Sequence, residues 1–139
     1  MKNFFLIFYL FLSFVSPIQS KDIQQIKIVH LNRVIEREPT IYSINPEIIK
    51  NGTLGSRMGI KDNNTTGKFT NQNFELIEKN IMPNESAKEI FEELRKNKYK
   101  FFILNVLKDD FIKIQSSDLI ADTILINASL KDNDIRNEN

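Results

Sequence analysis

Two runs in the second half of the chain, residues 100–106 (KFFILNV) and 123–127 (TILIN), are apolar at nearly every position rather than at alternate ones. A strand with one wet face alternates, so a continuous apolar strand is one buried on both faces, which requires a parallel sheet covered by helices. Two further runs have strand character: residues 26–31 (IKIVHL) are rich in β-branched side chains, and residues 73–81 (NFELIEKNI) alternate. Helices fit the spaces between the last three. Ala87, Ile90, Phe91 and Leu94 follow the i, i+3, i+4, i+7 spacing of one apolar stripe, with Lys88, Glu89, Glu92, Glu93, Arg95 and Lys96 on the wet side. Asn84 after Pro83 is the expected N-cap, and Glu85 and Glu89 suit the positive end of that helix. The next helix is expected over residues 108–119, with Leu107, Phe111 and Ile114 inward and Asp109 and Asp110 in its first turn. A first helix opens near Gly52. The order β-α-β-α-β-α-β predicts an α/β fold: a doubly wound, mainly parallel sheet with helices on both faces and right-handed crossovers.

The first twenty residues stand apart from this pattern. Lys2 supplies a minimal positive region, residues 4–15 are apolar except for Ser13, and residues 17–20 lead to a small residue before the polar stretch that starts at Lys21. This reads as a signal peptide cut after Ser20, leaving residues 21–139 as a single α/β lobe. A membrane span needs about twenty apolar residues, and the run is shorter and followed by Pro17. With no cysteine available for lipid attachment, no stable membrane anchor is expected after cleavage.

A chain of 139 residues, 41% hydrophobic and 27% charged, suits one globular domain. An exported chain without disulfides fits a bacterial periplasm better than an animal secretory route. The heavy use of Asn, Ile and Lys suggests that the N-x-S/T triplets at Asn51, Asn64, Asn84 and Asn127 reflect composition rather than glycosylation. With 19 basic and 18 acidic residues, charge gives no case for a nucleic-acid partner or an anionic membrane surface.

All four glycines fall between positions 52 and 67. Gly52, Gly55 and Gly59 recur at helical spacing and are expected to press the first helix against the sheet. Gly67, after Asn63, Asn64, Thr65 and Thr66, is expected to end that helix as a left-handed C-cap in a structural turn. No G-x-G-x-x-G is present, and the Gly67-Lys68 pair is followed by Phe69 and lacks a P-loop's upstream glycine, so no nucleotide cofactor is indicated.

Residues 35–40 (IEREPT) and 62–69 (DNNTTGKF), with Gln72, Phe74, Glu75 and Leu76, resemble the N-terminal lobe of periplasmic substrate-binding proteins of ABC transporters. The likeness is to the type 1 periplasmic-binding fold of branched-chain amino-acid receptors, and within it to the branch associated with PQQ-dependent alcohol dehydrogenase systems; it spans residues 26–135. The resemblance implies a non-catalytic periplasmic protein with a small organic solute as ligand, ABC permease subunits as partners and no cofactor. Such receptors close two α/β lobes around the solute, so it further implies that this chain is one lobe of a longer design.

In open α/β sheets, ligands gather beyond the carboxyl ends of the strands, which here means residues 32–40, 81–86, 105–109 and 127–131. By resemblance to amino-acid receptors, whose fourth strand ends in a small-residue turn that holds the ligand, the matching positions are Asn127, Ala128 and Ser129. Asn105, ending the third strand, is their companion. Equally, both asparagines fit the simple task of stopping strands and capping the next segment. Arg33, Glu36, Arg37 and Glu38 lie on a long loop and either present charge to a ligand or remain solvated.

His30, the single histidine, ends an apolar run with no acidic or thiol partner nearby in sequence. It reads as a core or rim residue in preference to a base or metal ligand. No Ser-His-Asp order, metal-ligand spacing or thiol nucleophile is assembled. A signalling receiver domain would need acidic residues where His30 to Asn32 and Asn105 stand. An exported α/β accessory or redox protein acting beside an alcohol dehydrogenase is the alternative reading.

Overall fold

Four parallel strands and three helices alternate along the residues that the computed structural model describes, 22–35 and 52–131. In chain order they are β1 (Gln24–Arg33), α1 (Thr53–Thr70), β2 (Gln72–Ile81), α2 (Ala87–Lys96), β3 (Phe101–Asn105), α3 (Lys108–Gln115) and β4 (Ile124–Asn127), with a 3-10 turn at Asp118–Ile120 before the last strand. The spatial order is β2-β1-β3-β4. The expected doubly wound α/β architecture is therefore present, and its winding direction reverses between β1 and β3.

Register sorts the side chains into two faces. Val29 pairs with Ile77 and Phe102, Leu31 pairs with Leu104, and Phe102 pairs with Leu125. These residues share one face, which α2 covers with Ala87, Ile90 and Phe91 and α3 with Phe111 and Ile114. Phe91, Phe102, Leu31, Leu104, Ile114 and Val29 are fully buried there. The rings of Phe91 and Phe102 meet tilted, with centroids 4.9 Å apart, a favoured aromatic arrangement. The apolar stripe read from α2 and the inward pair of α3 are thus the lid of the core. The opposite face carries Ile28, His30 and Asn32 of β1, Phe101, Ile103 and Asn105 of β3, and Ile124 and Ile126 of β4. The right-handed crossover from β1 to β2 places α1 on that side.

Several local expectations are corrected. The N-cap of α2 is Ser86, whose hydroxyl accepts from the Glu89 N–H, and not Asn84. The reason is a preceding turn in which Glu85 folds back on Met82, donating to its carbonyl and accepting from its N–H. Leu107 is half exposed and lies outside the core. α3 stops at Gln115 instead of residue 119, because Ser117 starts the 3-10 turn by accepting from Leu119 N–H.

Gly67 is not a left-handed cap, and residues 63–67 form no turn. α1 runs through them to Thr70 and stops at Asn71, which itself adopts φ 54° and donates its N–H to the Gly67 carbonyl. Gly67 is buried inside the helix, where a Cβ would overlap the Gln72 carbonyl oxygen. The glycine is required for a close approach and not for its backbone angle. Gly55 and Gly59, by contrast, have nothing among the described residues within 4 Å of an added Cβ, so of the three spaced glycines only Gly52 meets the sheet.

Candidate functional site

Near the carboxyl ends of β1, β2 and β3 three asparagines stand in register, Asn32 pairing with Asn80 on one side and with Asn105, the last residue of β3, on the other. Their amides form a row across three strands. Asn105 Nδ2 donates to Asn32 Oδ1 at 2.6 Å, and Asn32 Nδ2 donates to Asn80 Oδ1 at 3.3 Å. Asn32 is buried and Asn105 half-buried. The row lies at the carboxyl ends of the strands, on the α1 face, where β1 and β3 diverge to opposite windings, the usual crevice of such sheets. Gly52, at the start of α1, sits directly above it: an added Cβ would overlap the Asn105 amide and stand 3.3 Å from Asn32 Oδ1. A side chain at this position would displace the Asn105 amide from the row.

Asn127, Ala128 and Ser129 share the rim but not this crevice. Asn127 pairs with Leu104 and so belongs to the α2–α3 face. Its Oδ1 accepts from the N–H groups of Ser129 and Leu130 at 3.1 and 2.8 Å, and its Nδ2 donates to the Leu130 carbonyl. Ala128 N–H extends the β3 ladder to the Leu104 carbonyl, and the Ser129 hydroxyl donates to the Val106 carbonyl at 3.2 Å. These groups close a turn after β4, so the structure does not bring them into one shell with Asn105.

Arg33 is also committed elsewhere. Its guanidinium grips Asp110 with two parallel bonds of 2.7 and 2.8 Å, and its Nη1 donates to the carbonyls of Met82 and Glu85. Both side chains are about nine-tenths buried. The pair pins the ends of β1 and β2 to the first turn of α3, and its guanidinium faces protein groups and not a ligand. Glu36 and Arg37 lie outside the described residues, as do the leader and Glu38.

His30 lies beneath α1, wholly buried, with Nδ1 2.7 Å from the Ser56 hydroxyl. Burial holds its pKa below the ordinary 6.5, opposed by the nearby Glu78 carboxylate. Glu78 is in turn held by a two-pronged ion pair with Arg57. A hydroxyl beside an imidazole is the beginning of a nucleophile–base pair, but this ring has no surface, and its Nε2 is buried without a hydrogen-bond partner. Its bond to Ser56 docks α1 on the sheet. Among the described residues, no three His, Cys, Asp or Glu side chains gather as a metal site, and no helix is long and apolar enough to cross a membrane.

The D-N-N-T-T-G word acquires a physical account. Asn64 clamps the helix to β2 at both ends of one residue, accepting from Phe74 N–H at 2.7 Å and donating to Phe74 carbonyl at 2.8 Å. Asn63 and Thr65 bond back to the carbonyls of Gly59 and Asp62, and Gly67 fits against Gln72. The word is an α1–β2 fastener at the rim opposite the asparagine row.

No family model, curated protein or solved structure matches this chain. Its own residues are therefore the guide to its function.

Proposed function

We propose that the chain is a solute-binding lobe, and that a small polar organic solute is received at the crevice formed by Asn32, Asn105 and Gly52. The observation that carries this reading is the asparagine row at the winding reversal, where Gly52 packs closely on Asn32 and Asn105 and Asn105 stays half-buried at the row's end. Primary amides offer both donors and acceptors without charge, which suits a hydroxyl, carboxylate or amide group of an uncharged or zwitterionic solute. The resemblance to periplasmic receptors of ABC transporters, the leader-like first twenty residues and the absence of cysteine support delivery to a membrane permease from the periplasm. The association with PQQ-dependent alcohol oxidation rests on the resemblance alone.

A single lobe supplies one wall of such a site, so affinity should be weak, around the millimolar range. Two-dimensional NMR titration with amino acids, short alcohols and carboxylates is the suitable measurement. The expected result is saturable movement of the Gly52 amide and the Asn32 and Asn105 side-chain amides by one solute class, abolished in Asn105→Ala. Movement confined to other regions, or none up to about 100 mM, would sink the proposal. A chromophore bound to the purified protein would favour the redox accessory instead.

A further inference from the structure

Two apolar surfaces on the α1 side of the sheet have no partner among the described residues. The first is a shelf. α1 lies over β2 and the near edge of β1, as its contacts with Phe74, Glu78 and His30 show, and the side chains of β3 and β4 on that face continue beyond it. Phe101 and Ile103 pair with Ile124 and Ile126, and Ile124 and Ile126 remain 54% and 50% exposed. A parallel sheet is normally covered on both faces.

The second surface is a ridge on α1 itself. Helical spacing places Thr53, Ser56, Ile60, Asn64 and Gly67 toward the sheet, and on the outer side sets Lys61, Asp62 and Thr65 among three apolar residues, Leu54, Met58 and Phe69. These three are 52%, 66% and 87% exposed. Between ridge and shelf runs the flank of α1 turned away from the Arg57–Glu78 pair, and it carries Gly55 and Gly59, whose Cβ positions face open space.

We infer that this side of the molecule is a self-association surface, in which two copies dock face to face about a twofold axis and each lays the outer ridge of α1 on the shelf of the other. Three features of one molecule fit together in this arrangement. The ridge points away from its own sheet and so can reach only a facing surface. Among the described residues the shelf has room for a helix beside α1, and the facing α1 supplies one. The glycine flanks then meet, allowing two helices to lie side by side at short distance without side-chain collision. An unrelated helix on the shelf would leave the ridge bare, whereas a second copy covers both surfaces and closes the assembly, as an isologous interface must. At about 200 Å² for each large apolar side chain, the exposed parts amount to on the order of 600 Å² per copy. Reciprocal docking then removes on the order of 1,200 Å², the lower end of specific interfaces.

The test is sedimentation velocity of the purified chain from about 1 to 100 µM, with a cross-link as an independent measure. A concentration-dependent dimer is expected. Ile126→Glu on the shelf and Met58→Glu on the ridge should each weaken it at least about tenfold while leaving the melting temperature of the monomer unchanged, because both positions are at least half exposed. Since the chain has no cysteine, Met58→Cys and Ile126→Cys variants mixed in equal amounts should form a disulfide-linked heterodimer on mild oxidation, and more of it than either forms with itself. A monomer at every concentration with no cross-link overturns the inference, as does a dimer that both glutamate variants leave intact.

Discussion

Beneath α2 and α3, the strands present Val29, Leu31, Phe102 and Leu104, packed without a polar side chain between them. One residue away along the same strands, on the α1 side of the sheet, they present His30, Asn32, Ile103 and Asn105. The period of two in a strand is what permits this: one set of positions seals a dry core while the alternate set holds hydrogen-bonded polar groups and an uncovered apolar shelf. Continuous apolarity in a sequence thus did not guarantee burial of both faces: in β4, expected to be covered on both sides, Ile124 and Ile126 are half exposed on the α1 side. Stability belongs mainly to the α2–α3 face, and the proposed recognition to the α1 face.

The strongest way to break this division is Phe102→Ala. Phe102 is wholly buried with its ring tilted against Phe91, and the cavity should cost about 4 kcal/mol, read by chemical denaturation. A loss below about 1 kcal/mol would show that the core does not rest on that face.

Gly67→Ala should cost about 2 kcal/mol, because the new methyl meets a backbone carbonyl that cannot rotate away. The helix-favouring character of alanine offsets only part of the collision. Gly67→Ala with unchanged denaturation would mean the α1–β2 fastening has slack.

Acidification tests the polar face. The His30 pKa is lowered by burial from 6.5, so the unfolded chain takes up this proton before the folded one does. The stability linked to His30 is complete above about pH 6.5 and falls as pH drops below it. Denaturation curves between pH 7.5 and 5 should show this decline in the parent chain and a shallower one in His30→Leu; parallel curves would remove His30 as the cause.

The smallest effect is a gain. Gly59→Ala adds a methyl in open space within a helix and should stabilise the monomer by up to about 1 kcal/mol, visible as a raised Tm. A loss would mean that the flank of α1 is already covered within one molecule.

The order of strands and helices was legible in the amino-acid sequence, whereas the resemblance to a receptor lobe is an expectation that no matching protein supports. The element order follows from local burial periods in residues 73–127, and these are properties each segment carries wherever it lies. Asn105 was legible as a strand end of interest, yet its partners Asn32 and Asn80 were not, because the three positions meet only once parallel register aligns them. The same limit hid the pairing of Arg33 with Asp110, 77 positions apart: the charge of Arg33 suggested a ligand contact, and the first-turn place of Asp110 suggested a helix end. Gly67 shows the limit in a single residue. Its type announced that a side chain was not tolerated, but whether backbone angle or a neighbour forbids it depends on where β2 returns after α1. Composition and periodicity act within one segment, and they specified the layers of this protein; contacts between distant segments exist only after the chain has closed, and they specified the asparagine row, the buried ion pair and the open side of the sheet.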